Sequence, residues 1–170
     1  MKKIFGYVFI VFVAITSCNS PKEKALKSLY EKENADSTFS PQAARELKEA
    51  YIAYAQQYPD DEQAPIFMFK AAQRCNVMGD HNEAIEILNQ IFERYPQETV
   101  AEQALMLKAY VYENSLGALA EAEKIYKQFL EKYPNSVMAD DAKSALKYLG
   151  KSPEEVWDAM NKEGVVDTEN

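Results

Sequence analysis

Few residues in this 170-residue chain could carry chemistry. It has one histidine, His81, and two cysteines, Cys18 and Cys75. That is little material for a zinc site or a histidine-dependent catalytic centre. His81 falls in Gly79-Asp80-His81-Asn82, a polar run that reads as a solvated turn. Cys75 stands in a helical stretch, where a buried, unreactive thiol is expected. The pairs Asp60-Asp61, Asp140-Asp141 and Glu154-Glu155 could serve as general acid and base. Each begins a helical pattern, where negative charge complements the helix dipole. No Ser/His/Asp or Cys/His arrangement, phosphate-cradling glycine loop or metal-ligand cluster stands out. These residues argue against an enzyme and give no reason to expect a catalytic set, a metal or a cofactor. A net charge of −8 makes nucleic acid an unfavourable partner.

Cys18 is set apart by what precedes it. Lys2 and Lys3 open the chain, and Ile4 to Ser17 is an uncharged, mostly apolar run. That run is short for a bilayer-spanning helix, which needs roughly 20 apolar residues, and suits the core of an export signal. It ends in Ile15-Thr16-Ser17-Cys18, which resembles the bacterial lipobox. The resemblance implies a signal peptide over residues 1–17 that is removed. Cys18 would then be the lipid attachment site and the new N-terminus, with residues 18–23 a short tether. It also implies a place in the bacterial cell envelope; Asn19 after the cysteine leaves sorting between membranes open, and the outer membrane, facing the periplasm, is the expected site. Removal of Lys2 and Lys3 would move the net charge from −8 to −10. Anionic lipid would repel such a chain, so acyl chains and not charge would hold it at the membrane. Cys75 would remain as the single thiol and could form no internal disulfide.

The composition of the whole chain is globular, with 47% hydrophobic and 27% charged residues. Three Tyr-Pro pairs, Tyr58-Pro59, Tyr95-Pro96 and Tyr133-Pro134, recur at spacings of 37 and 38 residues. Repetition at that period signals a helical solenoid. Each pair closes the same stripe: Leu47, Tyr51, Tyr54 and Tyr58, then Ala84, Leu88, Ile91 and Tyr95, then Ala122, Tyr126, Phe129 and Tyr133. Steps of four, three and four place each set on one helical face. Gly79 and Gly117 precede the second and third stripes and can take the left-handed conformation that ends one helix before the next. Each unit therefore reads as helix, glycine turn, helix, Tyr-Pro turn.

These positions resemble the tetratricopeptide repeat family. Gly79, Ala84, Leu88 and Pro96 match its glycine, small residue, large apolar residue and terminal proline, and Gly117, Ala122, Tyr126 and Pro134 repeat the match. The turn Tyr133-Pro134-Asn135-Ser136 looks like that of the periplasmic branch, which includes the outer-membrane protein assembly lipoprotein and the coordinator of the Tol–Pal system. The resemblance implies an all-α fold, a right-handed α-solenoid of antiparallel helix pairs. Met68 stands where that family usually has tryptophan, and Tyr110 where it has a small residue, which implies looser packing of the third unit. The pattern predicts eight helices, over 22–33, 41–58, 61–78, 80–94, 98–115, 118–132, 136–149 and 153–162. Residues 24–163 form the array, Asn34 to Ser40 a polar loop, and 164–170 a flexible tail. Ser40-Pro41 and Ser152-Pro153 are N-caps followed by first-turn prolines, and Ser152 with Glu155 forms a capping box. The last helix, bearing Trp157, is expected to cover the open end, as repeat arrays require.

The family resemblance also implies a concave surface lined by the first helix of each pair. Ile66, Phe69, Gln73 and Asn76 would line it in one unit, and Leu107, Val111 and Asn114 in the next. Apolar rows beside amides suit a protein or peptide partner. Chaperone-binding members clamp a carboxylate with lysine and asparagine, whereas Phe69 and Gln73 hold those places here. The expected function is a lipid-anchored envelope scaffold that binds other proteins or peptides. Eleven tyrosines leave a glycan-binding or glycan-uptake accessory lipoprotein as the alternative. The lipobox makes a direct prediction. Cys18→Ala should abolish incorporation of labelled palmitate, and labelling that persists in the variant would overturn Cys18 as the attachment site.

Overall fold

A computed structural model describes residues 20–35 and 40–162. The signal segment, Cys18 and the C-terminal tail lie outside the described residues. Within them the chain forms eight α-helices and one π-helical turn: α1 Pro21–Ala35, α2 Pro41–Gln57, α3 Gln63–Met78, α4 His81–Arg94, α5 Thr99–Tyr110, the π turn Val111–Ser115, α6 Leu119–Lys132, α7 Ala139–Tyr148 and α8 Pro153–Lys162. From α1 to α7, each helix packs mainly against its neighbours in sequence, so stability is built up pair by pair along the array. The architecture is an all-α solenoid, as the periodicity predicts.

Local chemistry sets the boundaries. The Tyr-Pro turn is the same object three times. The N–H groups of Asp61, Glu98 and Ser136 each donate, at 3.1 Å, to the carbonyl of the tyrosine three residues earlier. This turn occupies the residues after each proline, so α3 and α7 start at Gln63 and Ala139, later than the sequence predicts. Ser40 Oγ accepts from the Ala43 N–H at 3.4 Å, with Pro41 in the first turn. The Ser152–Glu155 box forms in both directions, at 2.8 and 3.2 Å. A second such box starts α1: the Ser20 N–H donates to Glu23 Oε2 at 2.7 Å, and the Glu23 N–H to Ser20 Oγ at 3.2 Å. Residues 21–23 are therefore helix and not tether. At its other end α1 continues through Asn34 to Ala35, into the segment expected to be loop.

The two glycine turns differ by one residue. Gly79 has φ +87° and closes α3, with its own N–H bonded to Asn76 O and the Asp80 N–H bonded to Cys75 O. Gly117 has φ +63°, but here the Ala118 N–H reaches six residues back, to Tyr112 O at 2.8 Å. Glycine follows tyrosine by 21 residues in the first case (Tyr58 to Gly79) and by 22 in the second (Tyr95 to Gly117). The π turn absorbs that extra residue. The single helix predicted over 98–115 is thus an α-helix ending in a widened turn.

The core fills the space between paired helices. Phe67 and Phe129 are fully buried, and the small residues Ala64, Ala71, Ala101, Ala104 and Ala142 let backbones approach closely. Met68 is buried in the place where tryptophan was the family expectation. Tyr110 is half exposed and does not crowd the third unit, because the small residue in that interface is Ala109, fully buried one position earlier. Lys48, a buried cation, is held by both Glu83 oxygens at 2.9 Å and ties α2 to α4.

The expected role of Trp157 is corrected. None of the α8 residues is buried, and Trp157 is 53% exposed. The apolar face that needed covering is taken up by α7, whose Ala145 and Leu146, with Leu149 just beyond it, pack beside Ala142. The π turn suggests a test. Deleting exposed Asn114 restores the spacing of the preceding unit and should cost no more than about 2 kcal/mol. Deleting Gln103 turns the rest of α5 by about 100° and should cost more than about 4 kcal/mol. Equal losses in chemical denaturation would contradict this origin of the π turn.

Candidate functional site

Helix α3 has two faces. Ala64, Phe67, Met68, Ala71, Ala72 and Cys75 are buried. Burial pushes the Cys75 thiol up to about 12, so it stays protonated and inert. Ile66, Phe69 and Gln73, spaced by three and four, run along the other side. Ile66 is 41% exposed, Gln73 is exposed, and Phe69 is half-buried against the core.

One flank of this face is closed by α1. Lys22 Nζ meets Asp61 Oδ2 at 2.7 Å, and the Tyr30 hydroxyl donates to Gln63 Oε1 at 3.4 Å. Glu33 Oε1 accepts from the Tyr51 hydroxyl at 2.6 Å and from Lys70 Nζ at 2.7 Å. Burial, reinforced by Glu33, raises the Tyr51 hydroxyl well above the ordinary phenol range. The bond to Lys22 leads the causes that hold the Asp61 carboxyl below its usual value. The Lys70 ammonium also lies over the Tyr51 and Phe67 rings, at 5.7 and 5.5 Å. Its charge is engaged with α1 and is not a free clamp.

The other flank is open. Between α3 and α5 lies a groove of about 370 Å³, lined by Glu62, Pro65, Ile66, Phe69, Lys70 and Gln73 on one side and Glu98, Thr99, Val100 and Gln103 on the other. Pro65 and Val100 are buried and form its floor, while Ile66 stands out at the rim. Glu62 and Glu98 are the residues just before α3 and α5, so the two carboxylates share one end of the groove.

Three of the seven residues expected in the groove, Ile66, Phe69 and Gln73, line it. Asn76 does not: its Oδ1 accepts from Ser115 Oγ at 3.1 Å and pairs with His81 Nδ1 at 2.9 Å. These bonds tie the end of α3 to the next unit and give His81 a structural partner in place of simple solvation. Val111 is fully buried, and Leu107 is half-buried against the core. Asn114 is exposed, with its Nδ2 near the Tyr110 carbonyl at 3.4 Å.

The errors in the third unit share one cause. Matched back from Gly117, Leu107 and Val111 correspond to Phe69 and Gln73, but the extra residue lies between them and the glycine. Matched forward from Pro96, the counterparts of Ile66, Phe69 and Gln73 are Gln103, Met106 and Tyr110. Gln103 lines the groove and Tyr110 is exposed. One residue turns a helix by about 100°, enough to exchange a surface position for a buried one. Glu62, Pro65, Lys70, Glu98, Thr99 and Val100 were also missed, and the forward match places the last three at and just before the start of α5.

Among the described residues, no group of three His, Cys, Asp or Glu side chains could hold a metal ion. No helix among them is long and apolar enough to cross a membrane. Comparison with protein families matches residues 68–98 and 103–136 to the tetratricopeptide repeat. Those two stretches are thus similar to tetratricopeptide repeats, and such repeats support a protein–protein interaction scaffold. A search of curated proteins finds no match.

Proposed function

We propose that this protein is a lipid-anchored scaffold of a bacterial cell envelope, facing the periplasm from the outer membrane, that holds a segment of another protein between α3 and α5. The observation that carries the binding role is the groove itself: apolar at its floor and rim, flanked by amides, and built on a helix whose opposite face is locked in the core. Repeat arrays offer such rigid concave surfaces to partners. Work in an envelope assembly or maintenance complex, of the kind served by the outer-membrane assembly lipoprotein or the Tol–Pal coordinator, follows from the sequence resemblance.

The envelope role rests on Lys2, Lys3, the apolar run and Cys18. With α1 capped at Ser20, a lipid on Cys18 lies two residues from the array, a reach of about 7 Å. So short a link would keep the start of α1 near the bilayer surface.

Ile66 gives the cleanest test, because it is exposed where Phe69 also supports the core. Ile66→Asp should leave unfolding free energy within about 0.5 kcal/mol of the parent. The same change should abolish co-purification of the partner from detergent-extracted membranes. Full capture by a folded Ile66→Asp protein would overturn the groove as the binding site.

A further inference from the structure

We infer that the α3–α5 groove takes an extended segment pairing a bulky apolar side chain with a lysine or arginine two residues away; this rests on the binding role proposed above and names its ligand class. The length of the groove comes from the helix. Gln63 to Gln73 spans eleven residues of α3, about 16 Å of rise, which matches about five residues of extended chain. Its middle is apolar: Ile66 at the rim, Phe69 on the wall and Val100 in the floor. A single large aliphatic or aromatic side chain is what that surface can desolvate.

The charge at the end of the groove fixes the second residue. Among the described residues, neither Glu62 nor Glu98 stands in an ion pair, whereas the one lysine in the groove, Lys70, is bound to Glu33. Asp60 lies in the same turn as Glu62 and adds to the negative field at this end. Lys22, whose charge also acts on Glu62, is already bonded to Asp61, so this end keeps an excess of carboxylate over cation: a basic side chain is attracted and an acidic one repelled. Glu62 precedes Ile66 by one helical turn, about 6 Å, close to the separation of residues i and i+2 in an extended strand. Gln73 and Gln103 remain to hydrogen-bond the backbone of the segment.

The test uses the full chain and arrays of immobilised, capped hexapeptides. Each peptide carries Leu, Ile, Val or Phe and, two residues away, Lys, Glu or Ser, with Gly, Ser and Thr elsewhere. Peptides with lysine should retain at least ten times more protein than those with glutamate. The double variant Glu62→Gln, Glu98→Gln should bring that ratio close to one and keep binding to the serine series. Ile66→Asp should remove binding to all three series without changing the thermal midpoint. Equal retention of lysine and glutamate peptides, with both lost in Ile66→Asp, would overturn the basic preference and leave the groove standing. Absence of retention on every series, or retention indifferent to Ile66→Asp, would overturn both.

Discussion

The array depends on the burial of one ring. Phe67 is fully buried where three helices meet, with its ring 5.4 Å from Tyr51, 5.0 Å from Tyr54 and 6.1 Å from Tyr30. Burying a side chain of this size contributes about 1.5–3 kcal/mol, and each well-placed aromatic pair adds about 0.5–1.5 kcal/mol. No helix of the array could retain these contacts alone. Placing Phe67 inward fixes the rotation of α3, and that rotation turns Ile66 and Gln73 outward. The groove is therefore a consequence of the core: the residues that form its exposed surface sit one position away from those that cannot move.

Around that ring, polar contacts decide which flank of α3 stays open. On the α1 side, Lys22, Tyr30 and Glu33 each bond across to the body of the array, and Glu33 satisfies Tyr51 and Lys70 together. On the α5 side, Glu98, Thr99, Val100 and Gln103 face α3 across an open cleft. The same composition thus yields a sealed seam and an open groove on opposite flanks of one helix. Loss of Phe67 would disturb both, because it would free α3 to rotate.

The fold was largely legible in the sequence, and the reasons are local. Proline, glycine and N-cap serine act within a turn of where they stand, so helix ends at Gln57, Met78, Arg94 and Lys132 fall within a residue of expectation. The site was legible only on α3. Each unit carries two landmarks, a Tyr-Pro turn and a glycine, and in the third unit they disagree by one residue. Counting from the wrong landmark placed Val111 in the groove when it is core. The distances 21 and 22 were present in the sequence, but choosing between landmarks requires knowing that the surplus residue sits in a π turn and not in the body of α5. The two ends of the array escaped for another reason. Ser20 with Glu23 is a capping box hidden beside a segment read as tether, and α8 has an apolar side that its neighbours, already packed, leave largely uncovered.

The claim at the centre of this account is that partners meet the protein on the α3–α5 face and not elsewhere on its surface. Site-specific photo-crosslinking in intact cells addresses it most directly, with the probe placed at Ile66 or Gln103 in the groove, or at Val137, which is 96% exposed in a Tyr-Pro turn outside it. A discrete cross-linked protein from both groove positions, with none from Val137, is the result the account predicts. Equal yields at all three positions, or adducts from Val137 alone, would contradict it.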